Sequence, residues 1–205
     1  MPLQCNTSGQ ELPRQAVETF RAWYEDAVAN PLVDDASAMS LATANQSGRP
    51  SCRVVLLKSF DARGFVFYTN LNSRKGRDLR ANPGAALCFY WPALRRQVRI
   101  EGVVTPVTSQ EADVYFATRP RNSQIGAWAS RQSESLESRS VLHKRIANRT
   151  VRFAARPVPR PVFWSGFRLI PDRVEFWSEG SFRIHDRRAF VFSADDGWQI
   201  LDLFP

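Results

Sequence analysis

Three segments decide how this chain is interpreted: Arg53-Val-Val-Leu-Leu-Lys58, Tyr68-Thr-Asn70 and Ser73-Arg-Lys-Gly76. They place four cations in an apolar strand and at the start of the next helix. A charge that leaves water without a partner costs several kcal/mol. Few acids lie nearby in the sequence, so the simplest partner is an anionic ligand such as a phosphate.

The spacing of Arg53 and Lys58 predicts two anionic sites rather than one. Side chains alternate between the two faces of a strand, so residues five positions apart point to opposite sides. They would stand roughly 17 Å apart along the strand, at about 3.3 Å per residue. Taken alone, an edge strand whose terminal charges reach water explains the same pattern.

The composition is that of an ordinary globular protein of 205 residues, with a net charge of +8. No apolar run is long enough for a membrane-spanning helix, and residues 1–8 lack the pattern of a signal peptide. We therefore expect a cytoplasmic protein. Cys5, Cys52 and Cys88 are widely spaced and odd in number, which indicates neither disulfides nor a zinc site, and we expect no metal.

The positive charge does not indicate a nucleic-acid-binding protein. The cations are scattered along the chain, and no helix-turn-helix, zinc finger or aromatic RNA-binding pattern is present. Only Lys58, Lys75 and Lys144 are lysines, and two of these three fall in the opening segments. The basicity is therefore interpreted as partly the chemistry of a site.

Periodicity predicts strands framed by helices. An amphipathic helix is expected over 13–29, with Val17, Phe20, Tyr24 and Val28 on its apolar stripe. Further helices are expected over 73–81, 109–118, 123–129 and 135–153. Strands are expected over 38–43, 51–60, 65–70, 85–91, 97–105, 166–170, 173–177, 188–192 and 198–203.

The short strands and tight turns predict an antiparallel meander that closes into a barrel, with helices inserted midway. We expect a mainly β fold in a single domain over residues 13–205. Residues 1–12 are expected to form a flexible tail.

A second basic motif, Arg183-Ile-His-Asp-Arg187, follows a turn signal. On a strand, its two arginines and His185 would share one face and would repel one another without an anion or a polar ligand between them. A solvent-facing rim neutralised by Asp186 and Glu179 is the alternative. No dinucleotide-binding or Walker motif occurs.

These motifs together resemble the pyridoxine (pyridoxamine) 5'-phosphate oxidase family of FMN-dependent oxidases. The matching pieces run in order from about residue 38 to the C-terminus. They are Arg53–Lys58, Phe67–Asn70, Ser73–Gly76, Arg96–Arg99, Tyr115–Phe116, Arg119–Pro120, Ser123–Trp128, Gln132–Ser133, Glu175–Trp177 and Arg183–Arg187.

The resemblance implies an FMN-binding split β-barrel of antiparallel Greek-key type, and a homodimer with two FMN sites at its interface. FMN would be bound by Arg53, Val54, Val55, Leu56, Leu57, Lys58, Tyr68, Thr69, Arg74, Lys75 and Gln97 of one subunit, and by Gln132, Ser133, Trp177 and Arg187 of the other. The substrate phosphate would be held by Lys58, Tyr115, Arg119 and Ser123. Arg183 and His185 would lie against the substrate ring as the catalytic residues.

The implied reaction passes a hydride from pyridoxine or pyridoxamine 5'-phosphate to FMN and then to dioxygen, giving pyridoxal 5'-phosphate and hydrogen peroxide. The alternative is a relative of secondary metabolism, of the phenazine-biosynthesis type, that oxidises a reduced tricyclic carboxylic acid. Retention of the four phosphate-binding residues favours the first reaction.

The chain departs from the family pattern in two places. Family members usually carry an Arg-x-x-Tyr segment that closes over the substrate, and residues 1–11 contain neither arginine nor tyrosine. Phe182 and Ile184 also stand where the family more often has a polar residue and leucine, which makes the surroundings of Arg183 more apolar.

Overall fold

The computed structural model describes residues 11–205, which form five α-helices and nine strands. The helices are α1 (Arg14–Ala29), α2 (Arg74–Ala81), α3 (Ser109–Thr118), α4 (Arg121–Ala129) and α5 (Arg139–Phe153). The strands are β1 (Ala38–Ala44), β2 (Pro50–Leu56), β3 (Ser59–Asp61), β4 (Gly64–Asn70), β5 (Gly84–Trp91), β6 (Arg96–Pro106), β7 (Trp164–Ser178), β8 (Asp186–Ser193) and β9 (Gly197–Asp202). Most of the expected tail, residues 1–10, lies outside the described residues, and Leu12 is buried and donates its N–H to Ala62.

All nine strands belong to one antiparallel sheet, in the order β2-β1-β5-β6-β7-β4-β3, with β8 paired to β7 and β9 paired to β8. The sheet curls, since only Leu57 and Lys58 connect β2 and β3, the first and last strands of this order. Strands adjacent in space are not always adjacent in sequence, as a Greek-key arrangement requires. The predicted mainly β fold with inserted helices is confirmed.

The longest strand, β7, changes its partner along its length. One edge pairs with β6, whereas the other edge pairs first with β4, over Trp164–Leu169, and then with β8, over Arg173–Ser178. Two separate strands were predicted here, over 166–170 and 173–177, and that prediction was wrong. The chain continues through Pro171 because a shift in register at Gly102 accommodates it; a Cβ on Gly102 would lie 2.1 Å from the Ile170 carbonyl oxygen.

The strand predicted over 51–60 was also wrong, since it is two strands. β2 ends at Leu56, and Leu57 turns into the core with 4% of its surface exposed. Its N–H donates to Ser37, outside the ladder between β1 and β2. Strict alternation therefore does not extend from Arg53 to Lys58.

The main core fills the curled sheet and is closed by α1. Phe20 of α1 is fully buried and makes edge-to-face contacts with Phe65 and Phe89, at centroid distances of 4.9 and 5.3 Å. Val28, which was predicted to lie on the same stripe, is 64% exposed. Ala27, seven residues after Phe20, takes the buried place, because seven residues make nearly two full turns of helix.

A smaller apolar cluster joins α3, α4 and α5 to the start of β7. Its buried members are Phe116, Ile125, Phe153, Val158 and Trp164. This cluster fixes the helices beside the sheet and so sets one wall of the cavity described below. None of the helices among residues 11–205 combines the length and apolar character needed to cross a lipid bilayer.

Candidate functional site

A cavity of about 670 Å³ lies between the end of β2, the end of β4, the start of α2 and helices α3 and α4. We call it the basic cavity, because Lys58, Lys75 and Arg119 all line it. It brings together the larger part of the residues that the sequence singles out. Those that line it are Val54, Val55, Leu56, Lys58, Tyr68, Thr69, Lys75, Tyr115, Arg119, Ser123 and Gln132.

The turn between β4 and α2 places Lys75 in the basic cavity. Ser73 caps the helix: its hydroxyl donates to the Asn70 carbonyl (2.6 Å) and accepts from the N–H of Gly76 (3.2 Å). A Cβ on Gly76 would lie 2.5 Å from the Leu71 carbonyl oxygen, so only glycine fits this close approach. Lys75 therefore projects from the positive end of the helix dipole.

Lys75 is bonded to an amide rather than to an acid. Its Nζ donates to the side-chain oxygen of Gln132 at 3.1 Å, and the Thr69 hydroxyl lies 3.5 Å from the same oxygen. Burial, together with the nearby Arg53, lowers the pKa of Lys75. A bound anion would relieve both effects.

Arg119 is held by aromatic rings and has no acidic partner among the described residues. Its guanidinium lies 4.6 Å from the centre of the Trp164 ring and 5.6 Å from that of Phe116. Burial lowers the pKa of Arg119, and its Nη1 atom is buried with no hydrogen-bond acceptor in the described part of the chain. A buried donor left unmatched in this way is free to bond an acceptor on a ligand.

A stack of three aromatic rings forms the floor between Lys75 and Arg119. Tyr68 stacks on Tyr115 at 4.1 Å and 15°, and on Trp164 at 5.4 Å and 3°. Burial raises the pKa of both tyrosines. The Tyr68 hydroxyl donates to the Glu111 carbonyl (3.4 Å), whereas the Tyr115 hydroxyl, protonated near neutral pH, can donate to an anion.

Arg53 differs from the cations of the cavity because the fold gives it an acid. Asp78 of α2, 7% exposed, lies 3.9 Å from Arg53 and 4.0 Å from Arg74. Arg53 also donates to the Thr43 hydroxyl (2.7 Å) and the Leu41 carbonyl (3.2 Å). The inference from the few acids nearby in the sequence was therefore wrong for Arg53, since Asp78, 25 positions further along the chain, lies beside it in the fold.

Three further predicted residues, Gln97, Trp177 and Arg187, lie on β6, β7 and β8, on a surface that we call the arginine face; Leu57 lies between β2 and β3, and Ser133 between α4 and α5. Gln97 pairs with Trp177 across β6 and β7, and Trp177 pairs with Arg187 across β7 and β8. Arg187 donates to Glu175 from Nε (2.9 Å) and from Nη2 (2.7 Å). These contacts fix the guanidinium against the sheet.

The segment that carries Arg183 and His185 is a tight turn and not a strand, so the prediction of one shared strand face was wrong. Phe182 and Arg183 have φ of 56° and 62°, and β8 begins only at Asp186. The ring of His185 packs 4.8 Å from that of Trp177, and its Nδ1 accepts the N–H of Gly180 (3.3 Å). Arg183 and Phe182 are left exposed on the tip of the turn.

The two groups of residues cannot meet within one chain. Trp164, on the basic cavity, and Trp177, on the arginine face, lie thirteen positions apart on β7, which is about 40 Å along the strand. Two residues expected from different subunits have neighbours within this chain. Gln132 contacts Lys75, whereas Gln97 lies beside Trp177.

Three residues of the site were missed as functional candidates. Trp164 carries no local signal, because its role depends on α3 packing across it. Asp78 resembles any helix-surface acid in sequence. Glu175 was detectable: an acid between Val174 and Phe176 in an apolar strand requires a cationic partner.

Two family models match this chain. The model described as pyridoxamine 5'-phosphate oxidase covers residues 25–152, and that described as pyridoxine 5'-phosphate oxidase C-terminal dimerisation region covers residues 164–205. A Myxococcus xanthus (strain DK1622) protein named pyridoxine/pyridoxamine 5'-phosphate oxidase is 52% identical over 194 residues, which cover 95% of this chain and 93% of the relative. A Nitrobacter winogradskyi protein of the same name is 54% identical over 193 residues, covering 94% and 90%.

Solved structures resemble the fold as a whole. PhzG from Burkholderia lata 383, in complex with tetrahydrophenazine-1-carboxylic acid, matches with a TM-score of 0.84 at 31% identity, over 95% of this chain and 93% of that chain. An FMN-binding protein of Nostoc punctiforme, related to pyridoxamine 5'-phosphate oxidase, matches with a TM-score of 0.72 at 16% identity, over 95% and 99%. The second likeness concerns the fold alone. With the curled antiparallel sheet, these matches confirm the expected split-barrel class.

Proposed function

We propose that this chain, which belongs to the pyridoxamine 5'-phosphate oxidase family, oxidises pyridoxine 5'-phosphate or pyridoxamine 5'-phosphate to pyridoxal 5'-phosphate. FMN is the cofactor, and dioxygen is the electron acceptor and leaves as hydrogen peroxide. The amine substrate also consumes one water and releases ammonia. The observation that carries the proposal is the basic cavity, in which Lys58 and Arg119 have no acidic partner among the described residues.

The residues present fit a phosphorylated flavin. Arg53, Arg74 and Lys75 converge on the start of α2, where the helix dipole also favours an anion. Arg53 and Arg74 share the single carboxylate of Asp78 and Lys75 bonds only Gln132, which leaves a net positive site for the FMN phosphate. Val54, Val55 and Leu56 supply an apolar wall for the rest of the cofactor.

A second anion, the phosphate of the substrate, fits the other side of the basic cavity. Arg119 offers its unmatched Nη1, Lys58 offers its ammonium, and the hydroxyls of Tyr115 and Ser123 lie on the same wall. Contacts between such cations and a phosphate are charge-assisted and strong. They would fix the substrate at one end and so orient its reacting carbon.

The redox chemistry belongs to the cofactor: bound FMN takes the hydride from the 4' carbon of the substrate and is reoxidised by dioxygen. The side chains have only to bind, orient and exclude water. Arg183, at the exposed tip of its turn, would cover the substrate ring, and His185 would contact its polar substituents. With Nδ1 of His185 accepting from Gly180, the neutral ring carries its proton on Nε2.

A homodimer is required to assemble this site. The model matched by residues 164–205 is a dimerisation region, and the arginine face lies about 40 Å along β7 from the basic cavity. We infer that the basic cavity of one subunit receives Gln97, Trp177, Arg183, His185 and Arg187 of the other. The protein should therefore sediment as a dimer, and a flavin-loaded monomer would refute the shared site.

The decisive experiment is anaerobic mixing of the FMN-loaded protein with pyridoxine or pyridoxamine 5'-phosphate. Loss of the visible flavin absorbance, reversed by air with formation of peroxide and pyridoxal 5'-phosphate, is the expected result. A flavin that binds but stays oxidised would overturn the proposed substrate.

A second candidate is the oxidation of a reduced tricyclic carboxylic acid, as in phenazine biosynthesis. It is favoured by the PhzG likeness and by Phe182 and Ile184, which expose 96% and 66% of their surface beside Arg183. Such a substrate has no phosphate and would leave Lys58 and Arg119 without a function. Reduction of the flavin by a dihydrophenazine carboxylic acid, but not by the vitamin phosphates, would decide for it.

A further inference from the structure

Glu175 is the most deeply buried carboxylate on the arginine face, with 2% of its surface exposed. It lies on β7 between β6 and β8 and contacts a cation from each of the three strands. Its Oε1 accepts from Arg187, and its Oε2 lies 3.6 Å from Arg99 and 3.5 Å from Arg173. The charges of three guanidinium groups thus surround this buried carboxylate.

Arg187 is held more completely than its neighbours. Besides its two bonds to Glu175, it donates from Nη1 to the carbonyl of Phe204 (2.9 Å), and its own carbonyl accepts the N–H of Leu203. A guanidinium has five N–H donors. The described residues take three of them, which leaves one on each terminal nitrogen.

The contacts of Glu175 define how those two donors point. The carboxylate of Glu175 accepts from both Nε and Nη2 on one edge of the guanidinium. Rotation about the terminal bonds of the Arg187 side chain would therefore break both hydrogen bonds. An arginine with one edge held in this way presents the other edge in a single orientation, as ligands of a preorganised site do.

We propose that Glu175 is a positioning residue for the cofactor: it orients Arg187 of one subunit so that the two remaining N–H groups of that side chain bond FMN in the basic cavity of the other. This inference rests on the proposed function. It assigns a role to a side chain that does not itself touch the cofactor.

The test is the affinity of the apoprotein for FMN, measured by quenching of flavin fluorescence, which needs no substrate. Glu175→Gln should weaken FMN binding by about tenfold, and Arg187→Ala by at least as much, the loss expected for one charge-assisted bond. In the Arg187→Ala background, Glu175→Gln should have no further effect. Affinity unchanged by Glu175→Gln, or an equal loss in both backgrounds, would overturn the role.

Glu101→Gln is the matched control, because Glu101 pairs with Arg99 on the same face but does not touch Arg187. It removes the same charge and should leave FMN affinity within about twofold. If thermal unfolding shows that Glu175→Gln does not fold, Glu175→Asp keeps the charge but cannot reach both donors. It should then bind FMN more weakly, and wild-type affinity would overturn the inference.

The outcomes separate this inference from the proposed function. If the wild-type protein binds no FMN, both the proposed function and the inference are wrong. If FMN binds and is reduced by the vitamin phosphates while Glu175→Gln behaves as wild type, only the inference fails.

Discussion

At one end of β7, Lys58 and Arg119 face the basic cavity, and neither has a carboxylate within ion-pair distance in the described chain. At the other end, three arginines lie within 3.6 Å of the single carboxylate of Glu175. The first pair is supported by rings and apolar walls, the second group by an acid. Glu175 is buried and Arg119 is half-buried, whereas Lys58 and Arg99 are exposed.

The difference shows what each cation is prepared to bind. A buried cation without an acid is destabilised until an anion binds to it. Relief of this destabilisation then adds to the affinity for the anionic ligand. A cation bonded to an acid is fixed in direction, as Arg187 is by its two hydrogen bonds to Glu175, and it suits the polar edge of a ring. We therefore expect charge-based effects at the cavity and orientation-based effects at the arginine face.

The largest effect is expected when both unpaired cations of the basic cavity are removed. Lys58→Ala with Arg119→Ala should lower kcat/KM for a phosphorylated substrate by about 10³, from two charge-assisted contacts of about 2 kcal/mol each. Steady-state kinetics measure this loss, which should fall mainly on KM. Lys144→Ala with Arg139→Ala removes the same charge from the exposed surface of α5 and should have no such effect. An unchanged KM in the cavity variant would mean that the phosphate is held elsewhere.

Arg183→Ala tests the orientation-based effects expected at the arginine face, because it removes a contact to the substrate ring without altering the basic cavity. We expect kcat/KM to fall by about 100-fold through lost orientation, with FMN affinity unchanged. Fluorescence titration of FMN and steady-state kinetics on the same preparation separate the two effects. Ser181→Ala in the same turn is the control. Loss of flavin from Arg183→Ala would contradict its assignment to the substrate.

Mixed dimers test whether the two ends of β7 serve one site. When subunits carrying Arg119→Ala are exchanged with subunits carrying Arg183→Ala, half of the dimers should be hybrids, each with one intact site. Activity should then recover to about a quarter of the wild-type value. Recovery is measured after subunit exchange. No recovery, with exchange confirmed by mass spectrometry, would show that each chain builds its own site.

The pH dependence of FMN binding should show the loss of the positive charge on Lys75. Its pKa is lowered by burial and by Arg53, and only the protonated form attracts the phosphate. Affinity should be full below this pKa and should fall by about tenfold as pH rises through it, before an ordinary lysine loses its charge. Lys75→Arg should move the loss to higher pH, whereas Lys144→Arg should not. A wild-type profile without this alkaline step would contradict the role of Lys75.

The smallest expected effect concerns the ring beneath Arg119. Trp164→Leu removes a cation–π contact of about 1 kcal/mol and should raise KM for the phosphorylated substrate about fivefold. Trp164→Phe keeps a ring and should recover part of the difference. Equal KM values in the two variants, with thermal unfolding showing both folded, would mean that the ring only fills space.

The sequence predicts well where local chemistry sets the structure. Ser73 and Gly76 mark the start of α2, and Asn82-Pro83-Gly84 marks its end, because capping and helix termination need only neighbouring residues. The residues of the basic cavity were likewise identified, since the motifs around Lys58 and Arg119 occur in a fixed order along the chain.

What the sequence could not supply depends on distant contacts. The change of partner along β7 is set by β4 and β8, which pair with it on either side of Pro171. The positive φ of Phe182 and Arg183 is imposed by a closed turn: a Cβ on Gly180 would lie 1.7 Å from the Ile184 carbonyl oxygen. The acids beside Arg53 and Arg187 are brought there by the fold.

The double pairing of β7 also decides how the polypeptide can be divided. The family models stop at residue 152 and resume at 164, which resembles a boundary between two modules. A fragment that ends before β7 would nevertheless leave β4 and β6 each with a row of unpaired backbone groups, the pattern that promotes association with other chains. The C-terminal segment is therefore part of the barrel itself. Expression of either fragment alone should give aggregated protein. Production of both fragments together should restore solubility.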